Sequence, residues 1–287
     1  MTQPDSNSRK PAHSVGEFLR ARRGQLHSAD VGLMGNVGGR RRVPGLRRQE
    51  VAELAAISVD YYTRLEQGRI KASPNVLASL IRALQLNEAQ ASYLTELVAR
   101  EHGYPEVSES STPDPVQVGL VQELLADMPI TPAFAIGPRT EILAWNSLAA
   151  AMITDFGQIP AHQRYFIRLL ITDPAMRALY ADWPEVTRMA VEQMRRHNAL
   201  HPRDATINGL VAELVERDPD FRTWWESHQV DSRTSGRKHL RHPCVGDLHL
   251  NWNALTWNAD PSIHIITWSA QADTESRSRL EQLAALS

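Results

Sequence analysis

Apolar residues in the first hundred positions recur with the period of an amphipathic helix. In segment 15–26 (VGEFLRARRGQL) they fall on one helical face. The same period predicts further helices at 47–56, 59–67, 75–84 and 88–100. We therefore expect a five-helix, all-α domain over residues 14–100, preceded by a disordered arm over residues 1–13.

Small residues with known helix-end preferences mark the boundaries of the third and fourth predicted helices. Ser58 can cap the helix 59–67, and Gly68 can end it. Ser73 can cap the next helix, and Pro74 suits its first turn because no backbone donor is needed there. Ser58 supports a tight turn between the second and third helices, and Gly68, Ser73 and Pro74 mark the break between the third and the fourth.

A change of pattern follows the predicted helical domain. Segment 101–118 is rich in proline, serine and threonine without a helical period, which indicates a linker. The predicted elements beyond it are two strands within 132–145, mainly helical stretches at 147–156 and 160–228, and strands at 237–241, 245–252 and 264–270. This order predicts an α+β domain over residues 119–287, with helices packed on an antiparallel sheet. The expected class of the whole chain is α + (α+β).

The charges of the 287-residue chain are unevenly divided, although the net charge is only −2. Residues 1–100 hold 15 Lys and Arg against 9 Asp and Glu, whereas residues 101–287 hold 16 against 24. A positive half is expected where that half meets a polyanion, although chance surface composition can give the same pattern. No apolar run is long enough to cross a membrane, and no export signal is recognisable. We expect a cytoplasmic protein without a membrane partner.

Residues 49–68 (QEVAELAAISVDYYTRLEQG) place two short helices around a tight turn at 56–58. In a helix-turn-helix, the second helix enters the major groove of DNA while its apolar back packs on the first helix. Tyr62 and Leu65 are spaced to form that back. A generic helical hairpin is the alternative, but the serine cap, the buried positions and the basic surroundings together favour DNA binding.

The outward face of the second helix supplies the candidate base-reading residues. Arg64 can donate a bidentate pair to guanine, and Asp60 can accept a hydrogen bond from cytosine. Thr63 or Val59 can contact a thymine methyl group. Polar residues at the border of such a face suit phosphate contacts, which fix register without reading sequence. The candidate DNA-binding set is completed by the bordering residues Arg48, Gln49, Ser58, Tyr61, Arg69 and Lys71.

A glycine-rich loop at 27–46 precedes this motif and contains Arg40, Arg41 and Arg42. We interpret it as a flexible basic arm that reaches the DNA backbone or minor groove, a plain surface loop being the alternative.

The helix-turn-helix resembles that of Cro/repressor-like (XRE) regulators in two strings, GEFLRARR and RRRVPGLRRQEVAELAAISVDYYTRLEQGR. The glycine-rich insertion and VDYYTRLEQGR are similar to MmyB-like regulators in particular. The C-terminal ligand-binding domain of that family is similar to three later strings, TPAFAIGPRTEILAWNSLAAAM, IRLLITDPAMRALYADW and SGRKHLRHPCVGDLHLNW. The resemblance covers nearly all of residues 14–270. It implies a PAS-like sensor domain, with a fatty acid or comparable apolar small molecule as the ligand.

A sensor pocket should be mostly apolar, with a few converging polar groups. Arg168, within the apolar string FIRLLI, is the first candidate because arginine can hold a carboxylate through two hydrogen bonds. The competing interpretation is a structural salt bridge to Asp173 or another carboxylate. This chain has Arg164 and Tyr165 where the family has Arg-Asn, so a ligand contact at Tyr165 is expected to differ. The candidate ligand-binding set is Trp145, Asn146, Arg164, Tyr165, Arg168, Leu169, His242 and Trp252.

No motif in the sequence points to catalysis. His197 and His201 have a spacing that can bring two imidazoles to one metal, but no acidic residue completes an H-E-x-x-H pattern. The single cysteine, Cys244, is expected to be buried among strand residues. We therefore expect no enzyme, no metal site and no cofactor apart from a bound apolar small molecule.

The sequence as a whole predicts a ligand-responsive regulator that binds double-stranded DNA as a homodimer. Two alternatives stay open at this point. In one, the second domain serves only for dimerisation or protein contact. In the other, an enzyme carries a DNA-binding head.

Overall fold

The computed structural model describes residues 14–27, 30–31, 45–102, 112–227 and 233–286. The expected N-terminal arm, the basic residues Arg40, Arg41 and Arg42, and the middle of the expected linker lie outside these residues. The chain divides into two compact units, the first built chiefly from its N-terminal part and the second chiefly from the remainder.

Five helices form in the described part of the first unit, as predicted. They are α1 Val15–Gln25, α2 Arg48–Leu54, α3 Val59–Glu66, α4 Pro74–Ala83 and α5 Glu88–Glu101. Four of them begin with a side chain that accepts a hydrogen bond from the backbone N–H three residues later, namely Ser14, Ser58, Ser73 and Asn87. These caps satisfy donors that the first turn of a helix leaves without a partner.

The turn between α2 and α3 is a Schellman motif. The Ile57 N–H donates to the carbonyl oxygen of Ala52 at 3.0 Å, and the Ala56 N–H donates to that of Glu53 at 3.1 Å. Ala56 has a φ of 53°, in the left-handed region that favours glycine. α3 ends in the same motif, but there Gly68, with a φ of 68°, occupies the left-handed position. The predicted tight turn and the predicted glycine stop are both confirmed.

α1 and α3 approach each other closely at Gly16. A β-carbon at this position would overlap the carbonyl group of Glu66 and lie 2.8 Å from its carbon atom. The two backbones can therefore be this close only with glycine at position 16. Tyr62 and Leu65 of α3 are fully buried on the side that packs against α1 and α2, as predicted.

A five-stranded antiparallel sheet forms the centre of the second unit. Its strands are β1 Ala133–Ile136, β2 Ile142–Trp145, β3 Ser235–His242, β4 Gly246–Thr256 and β5 His264–Ser269. Their spatial order is β2-β1-β5-β4-β3, and every neighbouring pair is antiparallel. All predicted strands are present, in a PAS-like domain as the resemblance implies.

Helices surround this sheet. They are α6 Pro115–Ala126, α7 Ser147–Met152, α8 Phe166–Thr172, α9 Pro174–Leu179, α10 Trp183–Leu200, α11 Ala205–Arg217, α12 Pro219–Glu226 and α13 Glu275–Ala284. Asp-Pro pairs begin two of the helices that lie between β2 and β3. Asp173 accepts a hydrogen bond from the Ala175 N–H at 2.8 Å at the start of α9, and Asp218 accepts one from the Phe221 N–H at 2.7 Å at the start of α12.

Two helices differ from the sequence-based prediction. Residues 115–118, which we assigned to the linker, form the first turn of α6, where Asp114 accepts a hydrogen bond from the Val116 N–H at 2.9 Å. Apolar residues occupy both sides of α6, which hides the helical period. α13 escapes prediction for the opposite reason, since only Leu280 and Leu283 among its apolar residues are buried.

Hydrophobic residues pack on both faces of the sheet. On one face, Phe134 of β1 and Trp268 of β5 join a large aromatic core with the helices inserted between β2 and β3. Their rings meet edge to face, with 5.7 Å between centroids. On the other face, Ala133 and Ala135 of β1 pack with Val121 of α6. The alanines leave room for α6 beside the sheet, and the opposite face carries the thick core in which a sensor pocket is expected.

Candidate functional sites

The outward face of α3 is open to solvent. Val59, Asp60 and Arg64 are exposed and Thr63 is half-buried, while the opposite face of the helix is buried. The Nη1 atom of Arg64 lies 3.9 Å from Oδ2 of Asp60, which is too long for a hydrogen bond. An exposed pair of this kind holds its partners weakly. Arg64 can therefore turn toward another partner at little cost.

The residues that border α3 have distinct local roles. The Ser58 hydroxyl caps α3 by accepting a hydrogen bond from the Tyr61 N–H at 3.1 Å. The Tyr61 hydroxyl donates to the carbonyl oxygen of Lys71 at 3.4 Å, which ties the following loop to the helix. Arg69 and Lys71 are exposed in that loop, and Gln49 is exposed in α2. Their contacts with DNA stay predictions.

A buried carboxylate connects α3 to its neighbouring helices on the side opposite the exposed face. Glu66 is the last residue of α3, and its side chain has no exposed surface. Its two oxygens accept hydrogen bonds from Nε and Nη2 of Arg23, both at 3.0 Å. Arg48 donates to it at 2.9 Å and Arg20 at 3.4 Å. Since Arg20 and Arg23 belong to α1 and Arg48 to α2, one carboxylate joins three helices.

These arginines keep Glu66 ionised. Burial by itself raises the pKa of this carboxyl group, but the hydrogen bonds from Arg23 and Arg48 outweigh burial, so the pKa of Glu66 lies below its ordinary value. Arg48, which the sequence suggested for a phosphate contact, therefore has a partner inside the protein. Sequence reasoning missed Glu66 because an acid at a helix end is usually solvated. The available signal was the set of arginines in RARR and RRQE, which would surround a buried acid.

Asn146 is buried at the junction of β2 and α7, where it connects backbone groups. Its Oδ1 accepts from the N–H groups of Ala133 at 3.1 Å and Ala149 at 2.9 Å. Its Nδ2 donates to the carbonyl oxygens of Met128 and Thr131, both at 2.8 Å. These four bonds use both donors and both lone pairs of the amide. Asn146 therefore has no free polar group for the ligand contact suggested by the sequence.

Arg168 forms the structural salt bridge that competed with the ligand interpretation. Its Nε donates to Oε1 of Glu213 in α11 at 3.2 Å. Arg217 approaches the same oxygen at 3.4 Å. Asp173, the partner suggested by the sequence, instead caps α9. The partner of Arg168 is thus Glu213, and this salt bridge joins α8 to α11.

Arg164 and Trp145 lie against each other beside the aromatic core. The guanidinium of Arg164 lies 4.8 Å from the centroid of the Trp145 ring. It also donates two hydrogen bonds to the carbonyl oxygen of Ile159, at 2.8 and 3.2 Å. Tyr165 is half-buried and pairs with Glu141 in an isolated β-bridge. The structure thus brings three members of the predicted set together, with Arg164 already engaged by the backbone.

His242 is buried at the turn between β3 and β4. Its Nε2 lies 3.1 Å from the carbonyl oxygen of Ala151, and its Nδ1 accepts from the Cys244 N–H at 3.2 Å. With Nε2 as donor and Nδ1 as acceptor both contacts are satisfied, which gives His242 a structural role. The Cys244 side chain is exposed, so its predicted burial is wrong. Leu169 is buried in the core, and Trp252 lines a pocket.

This pocket lies between α10, β3 and β4 and has a volume of about 50 Å³. Besides Trp252 it brings together residues that the sequence did not single out, among them Tyr180 and Lys238. Lysine in an alternating strand is usually directed to water, so the sequence carries no signal for its position here.

Within the described part of the chain, no group of three or more His, Cys, Asp or Glu residues could hold a metal ion. No described helix is both long and apolar enough to cross a membrane.

A helical unit with an open helix-turn-helix face and a PAS-like unit together define a class, the transcription regulators with a DNA-binding and a ligand-binding domain. Residues 14–94 match the family model of a helix-turn-helix domain. Residues 120–283 match that of the MmyB-like transcription regulator ligand binding domain, which covers more than half of the chain. The chain belongs to the family of MmyB-like transcription regulators, as its motifs suggested. A comparison with curated proteins found no match.

Proposed function

We propose that this ligand-responsive regulator recognises a specific DNA sequence through the outward face of α3. We further propose that its second domain binds an apolar small molecule such as a fatty acid, and that the protein acts as a homodimer. The observation that carries the proposal is the division of α3 into a buried back, clamped through Glu66, and an exposed face with Val59, Asp60 and Arg64. A reading helix works best when its own framework is rigid.

Base recognition then follows from the side chains on that face. Arg64 donates two N–H groups to O6 and N7 of a guanine, and Thr63 or Val59 contacts a thymine methyl group. The weak pair with Asp60, at 3.9 Å, supports this role because Arg64 gives up little when it turns to DNA. Arg69 and Lys71 neutralise phosphates beside the groove.

Selection from a pool of random duplexes tests the assignment of Arg64. The full-length protein is compared with Arg64→Ala and with Arg82→Ala, which removes an exposed arginine from α4 as a matched control. We expect Arg64→Ala to cost about 1–3 kcal/mol at one base pair and to relax the preference there. Arg82→Ala should select the wild-type sequence. An unchanged base preference in Arg64→Ala would remove Arg64 from the reading set.

Phosphate contacts have a different signature. Lys71→Ala should weaken binding to all duplexes alike and reduce the slope of log K against log salt by about 0.9. Titrations of a specific and a scrambled duplex at several salt concentrations measure both effects. An unchanged slope would place Lys71 away from the DNA.

The ligand-binding part of the proposal rests on the family of the second domain and on its aromatic core. Native mass spectrometry of the purified full chain should show a co-purifying small molecule that is released when the protein is denatured. A protein that carries no such molecule, and binds none from a lipid extract, would favour the alternative of a domain that only dimerises.

The homodimer is supported by an exposed apolar stripe on α6. Val116, Leu120 and Leu124 recur every four residues and are 66%, 46% and 39% exposed. Gly119 lies between the first two and has open space beside it, while Glu123 is the single charged residue of the helix. A nearly uncharged apolar face can pack on its own copy about a two-fold axis. A two-fold dimer also presents two reading helices to a palindromic site.

Sedimentation of the full chain tests this interface. Leu120→Glu should convert a dimer into a monomer, because it introduces two like charges into the two-fold contact. Leu286→Glu, at a leucine that is 73% exposed elsewhere, should leave the dimer intact. A monomeric wild-type protein, or a dimeric Leu120→Glu variant, would contradict the assignment.

A further inference from the structure

Lys238 lies on the inward side of β3, where its charge is poorly matched by its surroundings. Side chains alternate along a strand, and Leu240, on the same side as Lys238, is fully buried. The Lys238 ammonium lies 5.2 Å from the ring centroid of Tyr180 and 5.3 Å from that of Trp252. Within the described ranges it makes no hydrogen bond and no ion pair. The two rings hold the cation in place but do not neutralise it.

The charges around the pocket favour an anion. Glu185 of α10 is the acidic residue in the lining, and it already pairs with Arg233 at 2.9 Å. The Glu185–Arg233 pair is neutral as a whole, so Lys238 leaves the pocket with a positive charge among the described residues. A concave site of this sign attracts negatively charged groups.

The size of the pocket restricts what can enter. Val186 and Met189 of α10 complete an apolar wall with Tyr180 and Trp252. The volume of about 50 Å³ has room for roughly four water-sized groups. Pockets that enclose whole ligands usually measure about 300–1,000 Å³. This pocket therefore fits a polar head group and the carbons next to it.

We propose that the pocket binds the carboxylate of a small-molecule ligand, with the Lys238 ammonium as its ion-pair partner and the rings of Tyr180 and Trp252 against the adjoining carbons. This inference rests on the proposed ligand-binding function and adds the chemical class of the anchoring group. A carboxylate supplies the charge-assisted hydrogen bonds that Lys238 lacks. Its carbon chain or ring extends along the apolar wall formed by Val186 and Met189.

The affinity for a carboxylate should depend on pH. Burial lowers the pKa of Lys238 to about 8, while the charge of Glu185 opposes this shift. Burial raises the pKa of Tyr180, which stays neutral over the relevant range. The remaining charged or titratable side chains in the lining are Arg233, Arg237 and His239. Lys238 is thus mostly charged at pH 7 and mostly neutral at pH 9, and binding of an anion weakens between these values.

Calorimetric titration of the full chain with benzoate and with decanoate tests the proposal. At least one of these carboxylates should bind the wild-type protein at pH 7, and their relative affinities distinguish a planar from an alkyl ligand. Lys238→Met keeps the length of the side chain and should weaken binding tenfold or more. Arg241→Met removes an exposed charge from the other side of β3 and should bind as the wild type does. The wild-type affinity should fall several-fold from pH 7 to pH 9.

Failure to bind either carboxylate, equal affinity in Lys238→Met and wild type, or the same affinity at both pH values would overturn the assignment. Thermal unfolding followed by tryptophan fluorescence provides a check on folding. Removal of a half-buried ammonium that has no ion-pair partner should raise the melting temperature of the ligand-free second unit, whereas removal of a structural lysine would lower it. A small molecule that co-purifies equally with wild type and Lys238→Met would contradict this anchor and leave the proposed ligand-binding function standing. Its absence from both would contradict that function itself.

Discussion

Replacement of Glu66 by glutamine changes little in the shape of the first unit but removes the negative charge that joins its helices. The carboxylate accepts hydrogen bonds from Arg23, Arg48 and Arg20 at 2.9–3.4 Å. In the variant, three guanidinium groups converge on a neutral amide that also brings two donors of its own. The arginines must then separate or recruit water, and the contacts of α3 with α1 and α2 loosen.

The magnitude follows from the burial of the partners. Loss of one partner of a fully buried ion pair costs about 3–5 kcal/mol. Here the Glu66 side chain has no exposed surface, but the arginines are 16% to 57% exposed and can partly regain water. The amide oxygen also keeps one acceptor. We therefore expect a loss of about 2–4 kcal/mol in the free energy of unfolding of the first unit.

The distribution of tryptophan makes this loss measurable in the full chain. All seven tryptophans lie between Trp145 and Trp268, so their fluorescence reports only the second unit. Circular dichroism at 222 nm reports the helices of both units, so the part of its urea transition that tryptophan fluorescence does not show belongs to the first unit. Glu66→Gln should lower the urea midpoint of that part and leave the fluorescence transition unchanged. Glu53→Gln removes an exposed charge from α2 and serves as the control. Surface substitutions usually change the free energy of unfolding by about ±0.5 kcal/mol. A loss smaller than about 0.5 kcal/mol in Glu66→Gln would therefore refute the role of Glu66 in joining the three helices.

The same experiment has a pH dependence of known sign. Because the pKa of Glu66 is lowered in the folded protein, its contribution is fully present above the ordinary glutamate pKa of about 4.3 and is lost as the pH falls through the lowered value. The stability difference between wild type and Glu66→Gln should therefore shrink under acid. A difference that is constant down to pH 3 would indicate that charge is not its cause.

Four further substitutions test the packing and the backbone geometry. Gly16→Ala should destabilise the first unit by about 1–3 kcal/mol, because its β-carbon overlaps the backbone of Glu66; an unaltered helical transition would contradict the close approach. Gly68→Ala should lower the free energy of unfolding by about 1 kcal/mol, whereas Ala56→Gly at the equivalent left-handed position should raise it by about 0.5 kcal/mol. Urea midpoints that shift in the same direction in both variants would contradict this. Asn146→Ala should destabilise the second unit by about 2–4 kcal/mol, as seen by tryptophan fluorescence, because it leaves four backbone groups without their partner, two of them buried and two partly buried; a loss below 1 kcal/mol would mean that water replaces it.

Much of the fold could be predicted because its signals are local. The five N-terminal helices combine a clear period with caps such as Ser58 and stops such as Gly68. The strands of the sheet alternate or are bounded by turns. α6 could not be predicted in the same way, since Val116, Leu120 and Leu124 put apolar residues on its solvent side. The helical period of α6 can be recognised only if these exposed residues are assigned to a contact with a partner protein, separate from the residues that pack on the sheet.

Site residues could be predicted from the sequence where their role depends on local structure, and not where it depends on distant residues. The outward face of α3 follows from helical geometry, so the sequence suffices to place Asp60 and Arg64 on it. The roles of Glu66 and Arg168 depend on residues 18 to 46 and 45 positions away, and no local pattern predicts such pairs. Asn146 and His242 looked like ligand contacts because they are polar residues in apolar surroundings. Their partners in the structure are backbone N–H and C=O groups. Since nearly every residue carries these groups, the sequence gives no signal for such contacts.

Sequence-specific recognition of DNA is the function that we propose for this protein. Its most direct test is the ratio of two dissociation constants, measured with the full chain at physiological salt, for a duplex obtained by selection and for a scrambled duplex of equal length. If α3 reads base sequence, the ratio should be about 10³ or more, the range of specific over non-specific binding. A ratio near one would mean that the basic first unit binds DNA only through its charge, and would contradict sequence-specific recognition.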